Sequence, residues 1–407
     1  ARPGVLRRPR ARKDLHRTGS GGNMKLDGKE ECGMGPLARS NVLEIKPYVP
    51  GKPIEEVQRQ LGIKGEIIKL ASNENPLGPS PRALAALRQA CGRVNLYPDD
   101  GAYYLTAALA KSFGVDEDQI ILGNGSVELI EFVAKAFLGE TDTAVMSDQA
   151  FIMYRIVSMI ANARRVEVPL RDYTHDLEAM ADAIDGSVKV VYIANPNNPT
   201  GTMVSGEEVE RFLDRVPESV VVVFDEAYIE YIERPDFPDS LRYVREGRNL
   251  VFLRTFSKAH GLAGLRVGYG IGPQELIEPL RKVRLPFNIN MLGQEAALAA
   301  LDDDEHIRRS REINAAGHRY LSRELDALGL FHTDSVGNFV FVDTGIDCKV
   351  VFQGLQRKGI IVRPLAGYGF PTAFRATVGT ERMNKRFIKA LAEVLAEHRE
   401  ASRPPAP

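Results

Sequence analysis

Along most of this chain, short unbroken apolar runs alternate with stretches whose apolar residues recur every three or four positions. Residues 188–193, 220–224 and 249–254 are β-rich runs, each ending in polar, Gly- or Pro-containing turn material. Unbroken rather than alternating hydrophobicity predicts strands buried on both faces of a mostly parallel sheet. Ser126, followed by Val127, Leu129, Ile130, Val133 and Phe137, predicts a helix capped by Ser126 with one apolar face. Past about residue 290 the pattern changes to a long charged helical stretch at 302–328. Short β segments follow at 338–342, 360–363 and 374–378, then a closing helix over 381–398.

These elements predict an α/β fold without internal repeats. A large domain over 71–290 carries a mostly parallel central sheet flanked by helices. A smaller α/β domain follows over 291–400, and an N-terminal arm, 41–70, adds to it. Ligands of such sheets sit at the carboxyl ends of the strands. The start of the chain differs. It holds Arg2, Arg7, Arg8, Arg10, Arg12, Lys13 and Arg17 against Asp14, then Gly19-Ser20-Gly21-Gly22. Such a segment buries too little apolar surface to offset its ordering entropy, so residues 1–40 are expected to be a disordered basic extension. A transit peptide or a translated stretch ahead of Met24 or Met34 both fit that composition.

Composition narrows the class. The chain has 407 residues, enough for two domains; 44% are hydrophobic and 26% charged, as in an ordinary soluble enzyme. A net charge of -1 gives no reason to expect nucleic acid or a membrane surface as partner. No run approaches the roughly 18 apolar residues of a membrane span. Cys32, Cys91 and Cys348 are too scattered for a disulfide framework or a CxxC motif, which suits a reducing, cytoplasmic setting. The histidines show no metal-ligand spacing, so no metal is expected.

Three predicted strand ends carry unusual chemistry. One runs into Asn195-Pro196-Asn197-Asn198-Pro199-Thr200-Gly201, a second into Asp225-Glu226-Ala227-Tyr228, and a third into Thr255-Phe256-Ser257-Lys258, followed by Gly261, Gly264 and Arg266. Singly, each has an ordinary structural reading: a turn, a helix cap, a solvated lysine. Together, in this order, they resemble the fold-type I aminotransferases that depend on pyridoxal phosphate (PLP), and FRATVGT extends the likeness. Within that class IKPYVPGKP, LASNENPLGPSP, NLYPDDG, VRLPFNIN and GIIVRP are similar to histidinol-phosphate aminotransferases.

The resemblance implies roles. Lys258 is the Schiff-base lysine and proton carrier, Asp225 the partner of the pyridine nitrogen, and Asn198 and Tyr228 hold the 3-oxygen. Phe151 stacks on the ring, where many relatives carry Tyr. Ser257, Thr255 and Arg266, with the Gly125, Ser126 and Val127 amides at a helix start, hold the phosphate. Val127 departs from the Asp common at its position. Tyr97 matches a tyrosine that reaches the neighbouring subunit's cofactor, implying a homodimer with shared sites. Arg375 matches the carboxylate clamp, Arg363 and Tyr48 the contacts to the substrate phosphate, and Asn338 an amide near the substrate.

The implied reaction is a ping-pong transamination of imidazole acetol phosphate by glutamate, giving histidinol phosphate and 2-oxoglutarate. An aromatic or broad-specificity aminotransferase and a threonine-phosphate decarboxylase remain alternatives within the fold. A PLP-sensing regulator would need a DNA-reading module, and the basic N-terminus lacks the paired helices for one.

Overall fold

The three β-rich runs form the middle of a seven-stranded sheet. In this computed structural model, which describes residues 37–47 and 53–401, they are the strands Val188–Ala194, Val221–Asp225 and Leu250–Thr255. The basic segment over 1–36, Cys32 and Tyr48 lie outside the described residues. The chain divides after Ser40, and the unit beginning at Asn41 holds every element described below.

Across the sheet the order is Ile120–Gly123, Gly268–Ile271, Leu250–Thr255, Val221–Asp225, Val188–Ala194, Thr143–Ser147 and Arg164–Val168. Only Gly268–Ile271 runs antiparallel to its neighbours. Side chains of the central strands alternate between two cores, which explains their unbroken hydrophobicity. Val190, Tyr192, Val223 and Val251 pack with Leu129, Val133 and Tyr154 on one face. Val191, Ile193, Val222, Phe224 and Phe252 pack with Leu105, Leu109, Phe212 and Ala296 on the other. No helix of the described residues is long and apolar enough to cross a membrane.

A second sheet holds Arg363–Pro364, Ala373–Thr377, Phe339–Asp343 and Phe331–His332, in that order and all antiparallel. The helices Asp304–Ala327, Cys348–Arg357 and Glu381–Ala401 cover it through Leu321, Leu325, Val351, Leu355, Phe387 and Leu391.

Two sequence expectations need correction. The single segment expected at 360–363 is split: Ile360–Ile361 pairs in parallel with Ile68–Lys69, whereas Arg363–Pro364 joins Ala373–Thr377. The change of partner falls at Val362, where the chain leaves Ile68–Lys69 and crosses to Ala373–Thr377. Ser126 is not a helix cap but the first residue of Ser126–Phe137, and Gly125 (φ 81°) stands before it with no side-chain cap. The approach is too tight for more than glycine: a Cβ on Gly268 would sit 2.6 Å from the Ser126 amide nitrogen.

Candidate active site

Consecutive parallel strands bring their carboxyl ends side by side, and here that converts three separated motifs into one cleft. Ser126, Val127, Phe151, Asn198, Asp225, Tyr228, Thr255, Ser257, Lys258 and Arg266 line a cavity of about 230 Å³. Ala194 and Asp225 are register partners on neighbouring strands, and Asp225 and Leu253 on the next pair. Asn195 to Asn198 and Thr255 to Lys258 therefore flank Asp225.

Lys258 borders the cleft and is half-buried. Its amine donates to the Ser72 carbonyl at 3.1 Å and lies 5.7 Å from the centre of the Tyr228 ring. Burial and then the Arg375 charge lower it from 10.5 to about 7. Asp225 is buried, and burial pushes its carboxyl up to about 6. Its Oδ2 accepts from the Tyr154 hydroxyl at 2.9 Å, while Oδ1 has no hydrogen-bond partner. The Tyr228 hydroxyl accepts from Asn73 Nδ2 at 3.0 Å.

The opposite end of the cavity is built for an anion. Thr255 Oγ1 donates to Ser257 Oγ at 3.0 Å, and Arg266 Nη1 reaches the same oxygen at 3.4 Å from the exposed rim. The Ser126–Phe137 helix points its amino end at them. Gly125 leaves room for the guanidinium, since a Cβ there would stand 2.3 Å from Arg266 Nη2.

Arg375 and Asn338 lie beside the cavity. Arg375 is buried, donates to Asn198 Oδ1 and to the Ala71 carbonyl, and sits over the Phe339 ring. Asn338 Nδ2 donates to the Asn73 carbonyl at 3.0 Å. Arg363 is the cross-strand partner of Arg375 but lines a different cavity, of about 870 Å³, with Lys46, Arg155, Arg165 and Lys349. A hollow lined by Phe151, Arg155 and Tyr368 adjoins both cavities. Tyr97 lines neither: it is 82% exposed and stacks on Phe287, ring centroids 4.8 Å apart. Among the described residues no cluster suits a metal ion.

Sequence reasoning passed over Ser72, Asn73, Glu74 and Tyr154. The first three stand in the quoted LASNENP motif, which carried a likeness but no assigned contact. Tyr154 lies in the first turn of the helix Met153–Ile160, three positions after Phe151, among apolar neighbours that by themselves signal core packing.

The sequence matches the aminotransferase class I and II family over residues 65–391. The histidinol-phosphate aminotransferase of Moorella thermoacetica is 50% identical over 362 residues, covering 89% of this chain and 94% of that protein. The one from Akkermansia muciniphila is 50% identical over 361 residues, 88% of this chain and 99% of its own length. A crystal structure of histidinol-phosphate aminotransferase from Sinorhizobium meliloti in complex with pyridoxal-5'-phosphate superposes with a TM-score of 0.82. It is 29% identical and covers 90% of this chain and 99% of that one. The chain belongs to the class I and II aminotransferases, and within them to the family of the histidinol-phosphate aminotransferases.

Proposed function

We propose that this aminotransferase works with PLP and moves an amino group from glutamate to imidazole acetol phosphate, giving 2-oxoglutarate and histidinol phosphate. The observation that carries the cofactor is the pair of groups across the cavity, the unpartnered Asp225 Oδ1 and the desolvated Lys258 amine. A buried acceptor without a donor is costly, and a protonated ring nitrogen supplies one. The residues lining the cavity fit: Lys258 would hold PLP through its amine, Asp225 the ring nitrogen, Phe151 the ring face, and Asn198 with Tyr228 the 3-oxygen. Gly125, Ser126, Val127, Thr255, Ser257 and Arg266 would hold its phosphate.

Bound there, PLP supplies the electron sink for charge left on the substrate's Cα. The chain's own residues do the rest. Lys258, lowered to about 7, both takes and returns the Cα proton near neutrality. Arg375 clamps glutamate's carboxylate, with Asn338 near the substrate. Arg363 and Tyr48 take the substrate phosphate, Arg363 in a cavity where Lys46, Arg155, Arg165 and Lys349 outnumber Glu44 and Glu167, the latter paired with Arg155 and Arg165. Arg363 and Arg375 are register partners on adjacent strands, so the two proposed anion contacts spring from neighbouring points of one sheet.

A second copy of the chain completes the assembly, with Tyr97 reaching the partner's cofactor phosphate. Tyr97, Tyr103, Tyr104, Leu285 and Phe287 are exposed, and Asp100 ties their two segments together by bonding Arg284 and the Phe287 amide. Exposed apolar patches of this kind mark interfaces. The function is checked by following the visible absorption of the PLP-loaded chain as amino donors are added. Histidinol phosphate and glutamate should each convert the band and phenylalanine should not; conversion by phenylalanine alone would make this an aromatic aminotransferase.

A further inference from the structure

One carboxylate oxygen of Asp225 is taken and the other is not. Oδ2 accepts from the Tyr154 hydroxyl at 2.9 Å, while Oδ1 is buried without a partner. Tyr154 lies in the helix Met153–Ile160 and is 1% exposed. Its ring stacks on Tyr192 with centroids 5.0 Å apart and planes within 5°, and meets Phe151 edge-on at 5.8 Å. These contacts fix the direction of the phenol. Burial and the adjacent Asp225 charge raise the Tyr154 hydroxyl well above 10.0, so it keeps its proton and acts as the donor.

We propose that Tyr154 is a positioning residue for the cofactor: by donating to Oδ2 it keeps Asp225 ionised and leaves Oδ1 to meet the ring nitrogen. This rests on the PLP reading above. Burial is the main influence on Asp225 and pushes it up to about 6; the Tyr154 hydrogen bond is the largest that opposes it. The Ala227 backbone N–H and then the Lys258 charge also lower it, and Glu226 raises it. Tyr228 faces it with a hydroxyl itself raised by burial to about 12. Behind Ala194, the register partner of Asp225, His175 bonds the Ala194 carbonyl at 2.9 Å and is held neutral, lowered by burial to about 4. Among the described residues Tyr154 is the side chain that donates to this carboxylate. Without Tyr154's proton, burial would meet less opposition and move the Asp225 carboxyl further up, toward the neutral form that cannot pair with a cationic ring.

Tyr154→Phe keeps the stack and removes only the hydroxyl. Tyr192→Phe is its control, because the Tyr192 hydroxyl on the other ring of the same stack has no partner. PLP dissociation constants are measured on cofactor-free chains with matching circular dichroism, alongside the ¹³C-carboxyl titration of Asp225. Tyr154→Phe should weaken PLP binding about tenfold or more and move Asp225 upward; Tyr192→Phe should do neither. Unchanged affinity and titration in Tyr154→Phe, or equal losses in both variants, would overturn the proposal. Asp225→Asn separates the two levels. If it weakens PLP and Tyr154→Phe does not, only this inference fails; if it too binds PLP normally, the cofactor reading fails. In the unsubstituted chain, the Tyr154 hydroxyl proton should exchange slowly and resonate downfield. Its absence would overturn the proposal even if the variant did not fold.

Discussion

Lys258 is a group whose usefulness and whose cost to the fold have one cause. Burial lowers its amine from 10.5 to about 7, which lets it move protons near neutrality. In the unfolded chain the same amine stays protonated up to its ordinary value. Between about 7 and 10.5 the unfolded state therefore binds more protons, so stability rises with pH across that window and the penalty is complete below it. Lys258→Met should accordingly raise the thermal midpoint of the cofactor-free chain, most below about 7 and progressively less toward 10.5. Transamination should fall by several orders of magnitude in the same variant. A midpoint difference that stays constant across the window would show that the amine is not desolvated. At this scale the sequence was legible where a residue type is demanded by chemistry, as at Lys258, Asp225 and Arg266. It was silent on Tyr154 and Asn73, because their meaning lies in which atom they touch across the fold. Tyr154 meets Asp225 over 71 positions of chain and Asn73 meets Tyr228 over 155.

Secondary-structure elements decide which of these residues can act together. The central strands were readable because burial on both faces leaves an unbroken apolar run, and their polar ends then fell in one line. Shorter elements were less legible. The break between Ile360–Ile361 and Arg363–Pro364 depends on two different pairing partners, neither local, and Gly268 must be glycine because a Cβ there would meet the Ser126 amide, 142 residues away in the chain. That break has a functional consequence, since it sets Arg363 against Arg375 in antiparallel register while directing Arg363 toward a separate cavity. A charge-assisted contact to a buried anion contributes roughly 1.5–3 kcal/mol, about ten- to a hundredfold in specificity. Arg363→Ala should lower kcat/KM for histidinol phosphate by about that factor and affect the glutamate half-reaction much less. Arg375→Ala should damage both, because it also holds Asn198. Arg363→Lys should recover only part of the loss, since an ammonium lacks the guanidinium's fork. Equal losses in both half-reactions for Arg363→Ala would remove its role as the phosphate contact.

At the scale of the whole molecule, one chain assembles almost the entire cavity, yet leaves its Arg266 rim exposed and Tyr97 on an apolar patch outside it. Phe287, against which Tyr97 stacks, adopts φ 57°, a left-handed conformation that bulky residues rarely take. Strain of that kind is held only where surrounding structure compels it, here the Asp100 bonds to Arg284 and to the Phe287 amide. A second copy docked on the patch would cover these rings and bring Tyr97 to the partner's phosphate site, so each site would draw Lys258 from one chain and Tyr97 from the other. Two individually defective chains should then complement each other. Lys258→Ala mixed with Tyr97→Ala, dissociated and reassociated together, should recover up to about a quarter of the unsubstituted activity. Statistical exchange makes half the dimers hybrids, and each hybrid has one site with both residues intact. Activity should follow the hybrid fraction as the mixing ratio is varied, measured by separating differently tagged chains. Hybrids that form and stay inactive would place Tyr97 in its own chain's packing and leave the active site within a single chain.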